Sequence, residues 1–591
     1  MKITKSLWMT FHKPPIVDMD SSRRPLLGDK RAKADNGLSQ ACSFHLLGCL
    51  LLVELFERVT FYGIVCNMIL FCTVKLGYPN HAAATINLCF VGLSVTAATV
   101  GSMAKNVISR NRIIYISSVL HLAGTTLLPV MAFPFDDFFM GHDHVIHKLF
   151  RWQQELLLFV ALLLIGLAVG GFKATMGPMV ASQLGQCPGI KLFSIECFHW
   201  LVGLGQMMAF LIIAYIQTSA AKYVGFIIPC ISLLLVFVTT YLAWNCQVNS
   251  PGMGQECCGI VQNALKQSWK SSCRQIGGAV GSSLDRAKES CGGCYAEAQV
   301  DCVKLLVALL PLLLLQIFHR VCIYQARPAV PSTYYIQAMN SNLNVSGILV
   351  PIAAINSVSI VPTVLLSPLL VFAMSTLLNI SLISTTSIGL YTVGQACAAL
   401  SMLLAGVMEL YRRSCSPTEQ TLSGKVFPIS SMPCYLLLPQ YLLLGMADAL
   451  AAPATYRVLC RLAPHGGQAL AKNVLGLCNG AAGILGTILV QAVHHLSSGT
   501  LYPDDLQHGY LEGYFFLLAF FMCINIYALC IYTQRYSLLP VSEEGPPVAG
   551  QSSLAQKLLE HEKSFAFYDS TLEGSAFTFS PDDDLHGFIY A

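Results

Sequence analysis

Two carboxylates and a guanidinium stand inside an apolar run. They are Glu54, Glu57 and Arg58 of the stretch ELFERVTFYG, in a segment that starts near Ser43 and ends near Thr73. Wound as a helix, Glu57 falls about 60° from Glu54 and Arg58 about 40° on its other side. The three share one narrow face, with Tyr62 one turn beyond Arg58. A charge at the centre of a bilayer costs roughly 2.5–3.5 kcal/mol, so such groups face a protein interior or a wet cavity and pair with one another. The chemistry open to them is proton exchange: a carboxylate that takes a proton lets go of its guanidinium. The alternative is a structural ion pair that pins two helices. Three ionisable groups on one face, followed by an aromatic pair and Gly63, exceed what a pin requires.

The elements that must hold this face are membrane helices. The chain is 54% hydrophobic and 11% charged, where soluble domains carry about 25% charged residues; with a mean hydropathy of +0.60 it reads as a polytopic membrane protein. Net charge of +4 is spread over short loops and leaves no nucleic-acid footprint. Apolar runs lie near 43–73, 84–105, 113–133, 155–182, 192–218, 223–245, 303–324, 348–372, 384–411, 434–459, 468–495 and 511–533. Each is long enough to cross a hydrocarbon core, which takes about 20 helical residues. Twelve crossings put both tails on one side, and the excess of Lys and Arg in loops on that side makes it cytoplasmic. The first run begins too far from Met1 for a cleavable signal peptide. Plasma membrane and endolysosome both remain open.

The longest loop divides the runs six and six. The expected organisation is a cytoplasmic tail over 1–42, a six-helix bundle over 43–245, a cytoplasmic linker over 246–302, a second six-helix bundle over 303–533 and a cytoplasmic tail over 534–591. Two six-span halves are the plan of the major facilitator superfamily, an all-α membrane fold. In the linker, Val261, Leu265, Trp269, Cys273 and Ile276 make an apolar stripe flanked by Lys266, Lys270 and Arg274, the pattern of an interfacial helix. Its Cys257, Cys258, Cys291 and Cys294 fit no standard zinc spacing, so reduced thiols and no metal are expected. Asn344-Val-Ser346 lies outside by this topology and can accept a glycan. Cys415 and Cys434 bracket the outer loop before the tenth run, as a disulfide or as separate thiols.

ELFERVTFYG resembles the ExxERFxYYG motif of the proton-dependent oligopeptide transporters, solute carrier family 15. Gly170-Gly-Phe-Lys173 is similar to that family's GGxKP, and Phe193-Ser-Ile with Gly203 to its FFSIFYxxINxGS. Glu409 with Arg412 and Arg413 resembles its ExxR, and QYLLLGMADALAAP its span-ten element, with Asp448 where the family usually has Glu. The resemblance implies a symporter of di- and tripeptides or histidine, with protons as the coupling ion and no other cofactor. Glu54, Glu57 and Arg58 would form the proton-linked cluster. Lys173 would be its cationic neighbour, Asp448 the acid for the substrate's amino end, and Tyr62 a wall of the substrate site. A proton moving down 100 mV yields about 2.3 kcal/mol, and a tenfold uphill step of neutral solute needs about 1.4 kcal/mol, so one proton per solute suffices.

Several positions depart from the pattern. Val65 stands where the family has a second span-one Arg, Leu201 where it has the Asn of INxGS, Cys197 where it has Tyr, and Lys105 where it has an acid. Glu196 adds a carboxylate in span five, either at the substrate or at the cytoplasmic end beside Lys191. His319 and Arg320 replace a span-seven acid of some bacterial members and are expected at the outer mouth. These losses motivate a rival reading, a carrier that moves another solute without protons; a membrane sensor that signals through its tails is a second. The expected partners are a small peptide-like or amino-acid-like solute and the lipid bilayer, with the chain a monomer. No nucleophile–base set, metal box or phosphate loop points to an enzyme.

Overall fold

The computed structural model describes residues 28–66, 68–104, 110–132, 150–185, 203–219, 222–244, 297–326, 332–366, 380–422, 425–462, 468–504 and 509–536. Met1–His45 and Leu46–Ala591 form separate units, and the description of packing and sites concerns the second. The helices are α1 (Gly28–Val65), α2 (Asn80–Ala104), α3 (Arg110–Ala132), α4 (Arg151–Gly185), α5 (Gly203–Ile216), α6 (Lys222–Trp244), α7 (Glu297–Ala326), α8 (Ile352–Leu366), α9 (Ile380–Ser414), α10 (Leu438–Leu462), α11 (Gln468–Leu496) and α12 (Leu511–Tyr536). One falls in each expected apolar run. Eight are long and apolar enough to cross a membrane by length and composition, α5, α6 and α8 are shorter apolar helices, and α1 carries the three charges. α1 starts at Gly28, well before its apolar run, because Lys30, Arg31, Ala32, Lys33 and Ala34 are good helix formers. The linker stripe and its four cysteines lie outside the described residues.

Among the described residues two short hairpins interrupt the helical plan, both on the face where α1 ends. Strands β1 (Asn344–Val345) and β2 (Ile348–Leu349) pair between α7 and α8; β3 (Pro417–Leu422) and β4 (Lys425–Ser430) pair between α9 and α10. Cys415 and Cys434, on either side of the second hairpin, are separate thiols.

Side-chain hydrogen bonds at bilayer depth fix the helix that carries the charges. Pro229 interrupts α6, and the groups around it tie α6 to α1: Thr60 Oγ1 donates to the Pro229 carbonyl at 3.3 Å, and Ser232 Oγ donates to the Phe56 carbonyl at 2.8 Å. With no water available in the hydrocarbon, side-chain hydroxyls find their partners in the backbone carbonyls of the neighbouring helix. On its other side α1 is met by α5 at Gly205, where a Cβ would stand 3.0 Å from Arg58 Cβ. A larger residue there would press on Arg58 and on the Leu55 carbonyl.

The two bundles meet along α2 and α11. A Cβ on Gly483 would stand 2.6 Å from Gly92 Cα, so the two backbones are almost in contact there. Polar pairs close both ends of this seam, Gln491 Nε2 donating to Thr85 Oγ1 at 2.8 Å and Ser102 Oγ to Asn473 Oδ1 at 2.8 Å.

Candidate functional site

The three charges of α1 meet as the spacing requires. Arg58 Nε is 3.0 Å from Glu54 Oε1, and Arg58 Nη2 is 2.5 Å from Glu57 Oε2. Exposure is 3% for Glu54, 1% for Glu57 and 2% for Arg58, so the set is sealed inside protein and turned away from lipid. Both contacts are ion pairs by proximity, and neither pair of atoms meets hydrogen-bond geometry. Each carboxylate thus holds a different edge of one guanidinium, and protonating either leaves the other in place.

Lys173 joins the triad through an aromatic ring. Its Nζ is 5.4 Å from the Phe61 ring centroid, and the Arg58 guanidinium carbon is 5.8 Å from the same centroid. The electron-rich face of an aromatic ring attracts cations, so Phe61 brings two like charges near one place. Two carboxylates against two cations make the ionised set neutral, and one added proton makes it positive. Tyr62, expected at the substrate, packs edge-on against Phe61 and Phe210 within the apolar core. Its position follows from the helix: residue 62 is one turn past Arg58, where α1 faces the rings of α5.

A second polar set lies in the other bundle. Arg320 of α7 is buried, not at the outer mouth as its place in the sequence suggests. The helix runs on to Ala326, and the short helix Thr333–Met339 packs beyond it. Arg320 Nη1 is 3.5 Å from Asp448 Oδ1 of α10, with exposures of 5% and 8%. The acid expected to meet a substrate amine therefore faces a guanidinium of its own bundle. His319 is buried beside it, its ring edge-on to Tyr391, and the Tyr391 hydroxyl donates to Gln316 Oε1 at 2.7 Å. Arg320 Nε, Gln316 Nε2 and His319 Nδ1 have no hydrogen-bond partner among the described residues.

One neighbour of the triad is a span histidine, which by sequence reads first as a helix–helix hydrogen bond and not as a proton relay. His121 of α3 is fully buried, its ring 6.2 Å from that of Phe172, and close enough to Arg58 to feel its charge. Both its ring nitrogens lack hydrogen-bond partners among the described residues. Val65, where relatives would place a cation, is completely buried. Glu196, Cys197, Leu201 and Lys105 lie outside the described residues. At the far end of α9, Arg412 donates to Glu409 through Nε at 2.9 Å and Nη2 at 2.7 Å, both residues buried. Its neighbour Arg413 pairs with Glu512 and covers the Tyr510 ring. This ExxR element clamps α9 to α12 at the face where α1 ends.

A model of the POT family matches residues 111–502, which takes in Lys173, Arg320 and Asp448 and begins after the triad. Human solute carrier family 15 member 5 is 38% identical over 561 residues, 93% of this chain and 95% of that one. Mouse solute carrier family 15 member 3 is 23% identical, over 79% of this chain and 87% of its own. Among solved structures, the POT family transporter PepTSo matches with a TM-score of 0.61 at 14% identity, over 84% of this chain and 99% of that one. A POT family transporter in complex with 5-aminolevulinic acid matches with a TM-score of 0.58 at 16% identity, over 83% and 96%. At such identities the solved structures bear on the fold, which is the major facilitator-type fold that the sequence led one to expect. With a family model across most of its length and a relative 38% identical over nearly all of it, the chain belongs to the POT family of membrane transporters, within solute carrier family 15.

Proposed function

We propose that the protein is a proton-coupled symporter of small peptide-like or amino-acid-like solutes, working by alternating access of the two bundles. The observation that carries this is the buried Glu54–Arg58–Glu57 triad with Lys173 across the Phe61 ring. A proton arriving on either carboxylate loosens one edge of Arg58 and leaves the four groups with an unbalanced positive charge. In a medium of low dielectric that charge draws in a solute carboxylate. Proton and solute thus favour each other's binding, which is what symport demands of a site. The triad sits on α1, held by α5 and α6, so a shift of Arg58 is felt where these helices pack.

The family supports a peptide-like solute, and the complex of a relative with 5-aminolevulinic acid supports a small zwitterion with one carboxylate and one amine. The test is uptake of labelled di- and tripeptides, histidine and 5-aminolevulinic acid by proteoliposomes with and without inward acidification. Gradient-dependent entry that disappears in Glu57→Gln is the expected result. Entry equally fast without a gradient overturns the coupling.

One observation favours a second reading, a carrier whose solute is not an α-amino peptide. Asp448 is engaged by Arg320, and Val65 offers no cation. Both ends of a peptide would then lack the partners that relatives give it. The same uptake screen separates the two readings: competition by amines and peptides supports the first, and competition only by acids without an amine supports the second.

A further inference from the structure

The outer end of the α2–α11 seam brings together three metal-ligating side chains from distant parts of the chain. His81 stands in the first turn of α2 and His494 in the last turn of α11, and Asp504 lies in the segment leading to α12. The two imidazoles stack with centroids 3.7 Å apart and planes 19° from parallel. His81 Nδ1 is 2.8 Å from Asp504 Oδ1, and His494 Nδ1 is 2.9 Å from the carbonyl oxygen of Tyr502. The same short segment, 502–504, therefore meets both Nδ1 atoms. One ligand atom from each of His81, His494 and Asp504 lies within 4.8 Å of the other two.

We propose that His81, His494 and Asp504 form a site for a divalent first-row metal ion of the zinc class, which ties the two bundles together on this face. Imidazole nitrogens and a carboxylate oxygen suit Zn²⁺, which takes such ligands at about 2.0–2.2 Å in a tetrahedron. In such a tetrahedron neighbouring ligand atoms are about 3.3 Å apart, so the pairs at 2.8 and 2.9 Å must open slightly, ligand atoms now up to 4.8 Å apart must close, and the stacked rings must swing until both nitrogens aim at one point. The ion takes the place of the hydrogen atoms now lying between each Nδ1 and its oxygen. Each neutral ring then carries its proton on Nε2, and the count of protons on the two rings is unchanged. Tyr502 O or a water completes the set.

The segment that carries Asp504 is held beside both rings before any ion arrives. Asn80 Nδ2 donates to the Asp504 carbonyl at 2.9 Å, and Gly499, with φ of +79°, folds the turn so that a Cβ there would touch His494 Cε1 at 3.4 Å. The site is open to water, with His81 17% and Asp504 51% exposed. His495 is exposed next to it, 5.6 Å from His494 ring to ring. Because His81 belongs to one bundle and His494 with Asp504 to the other, a bound ion must be released before the bundles can part on this face.

The experiment uses the full-length purified protein titrated with Zn²⁺ and with Co²⁺. The linker cysteines are a competing sink, so Co²⁺ serves as the spectroscopic probe: thiolate ligation gives an intense near-ultraviolet charge-transfer band that nitrogen and oxygen ligation lacks. The expected result is one ion per chain without that band, bound at least about tenfold more weakly in His81→Ala and in His494→Ala. Asp504→Asn, an exposed and structurally mild change, should weaken it as well. Binding of the same affinity in these variants, or binding that shows the thiolate band and vanishes when Cys257, Cys258, Cys291 and Cys294 become Ser, overturns the site. A second arm rests on the transport reading: Zn²⁺ on this face should slow uptake in the wild type and not in His81→Ala. Binding without any effect on uptake would sink the clamp while leaving the site and the transport reading standing.

Discussion

Arg320 and Asp448, on α7 and α10, face each other at 3.5 Å inside the second bundle, each nearly sealed from water. A buried ion pair gains little over an apolar pair, but removing one member strands the other, at a cost of about 3–5 kcal/mol. Arg320→Gln and Asp448→Asn should therefore each lower the melting temperature of the detergent-purified protein, and the double variant should recover most of the loss. Additive losses in the double variant would show that the two groups act independently. The same pair bears on specificity. If Arg320 screens Asp448 from solute amines, Arg320→Gln should raise inhibition of uptake by amine-bearing solutes, read from competition curves.

Arg58 is gripped on two edges, Nε by Glu54 and Nη2 by Glu57. A lysine carries the same charge as a single compact point and cannot present two edges to two acids. Arg58→Lys should therefore cut acid-stimulated uptake at least tenfold while the protein still reaches the membrane. Arg58→Ala should abolish it. Surface labelling alongside uptake checks both, and wild-type rates from either variant would remove the triad from the mechanism.

The triad was legible because its residues are close in sequence. Two positions three and four apart share a helix face, and the cost of charge in a bilayer says that face is inside. Glu409 and Arg412, one turn apart at the end of α9, were legible through their resemblance to the ExxR motif. Arg320 was misplaced because its partner lies on another helix and because the sequence does not show how far α7 continues past it. Asp448 was recognised by its surroundings in α10, but its partner was not. His81, His494 and Asp504 come from three separated segments, and no spacing rule joins them. Tyr62 shows a different limit: helix periodicity places a residue on a face, and packing against Phe61 and Phe210 decides what that face touches.

His121 keeps two unpartnered ring nitrogens in a fully buried place beside the triad. An unsatisfied buried polar group costs about 1–3 kcal/mol, so the ring's polarity adds nothing to stability in this arrangement. His121→Leu, close in volume and apolar, should melt no lower than wild type and should lose acid-stimulated uptake. A lower melting temperature would mean that the ring has polar partners in solution. Unchanged uptake at equal stability would mean that the triad works without it.

Asn344 tests the topology on which the coupling direction depends. It sits in β1 with its side chain exposed, and its backbone N–H donates to Asn342 Oδ1 at 2.9 Å. Ser346, the hydroxyl residue of the sequon, takes a positive φ of 53° at the tip of the hairpin. This hairpin joins the end of α7 to the start of α8, on the face opposite the end of α12. If the tails are cytoplasmic, Asn344 faces the lumen during synthesis and meets the glycosylation machinery. Glycosidase treatment should then shift the protein on a gel, and Asn344→Gln should remove the shift. Asn379-Ile-Ser381 is expected from the sequence at the inner side, where that machinery does not reach; Asn379 lies outside the described residues. A glycan that persists in Asn344→Gln and disappears in Asn379→Gln would invert the topology, and protons would then enter the triad from the other side.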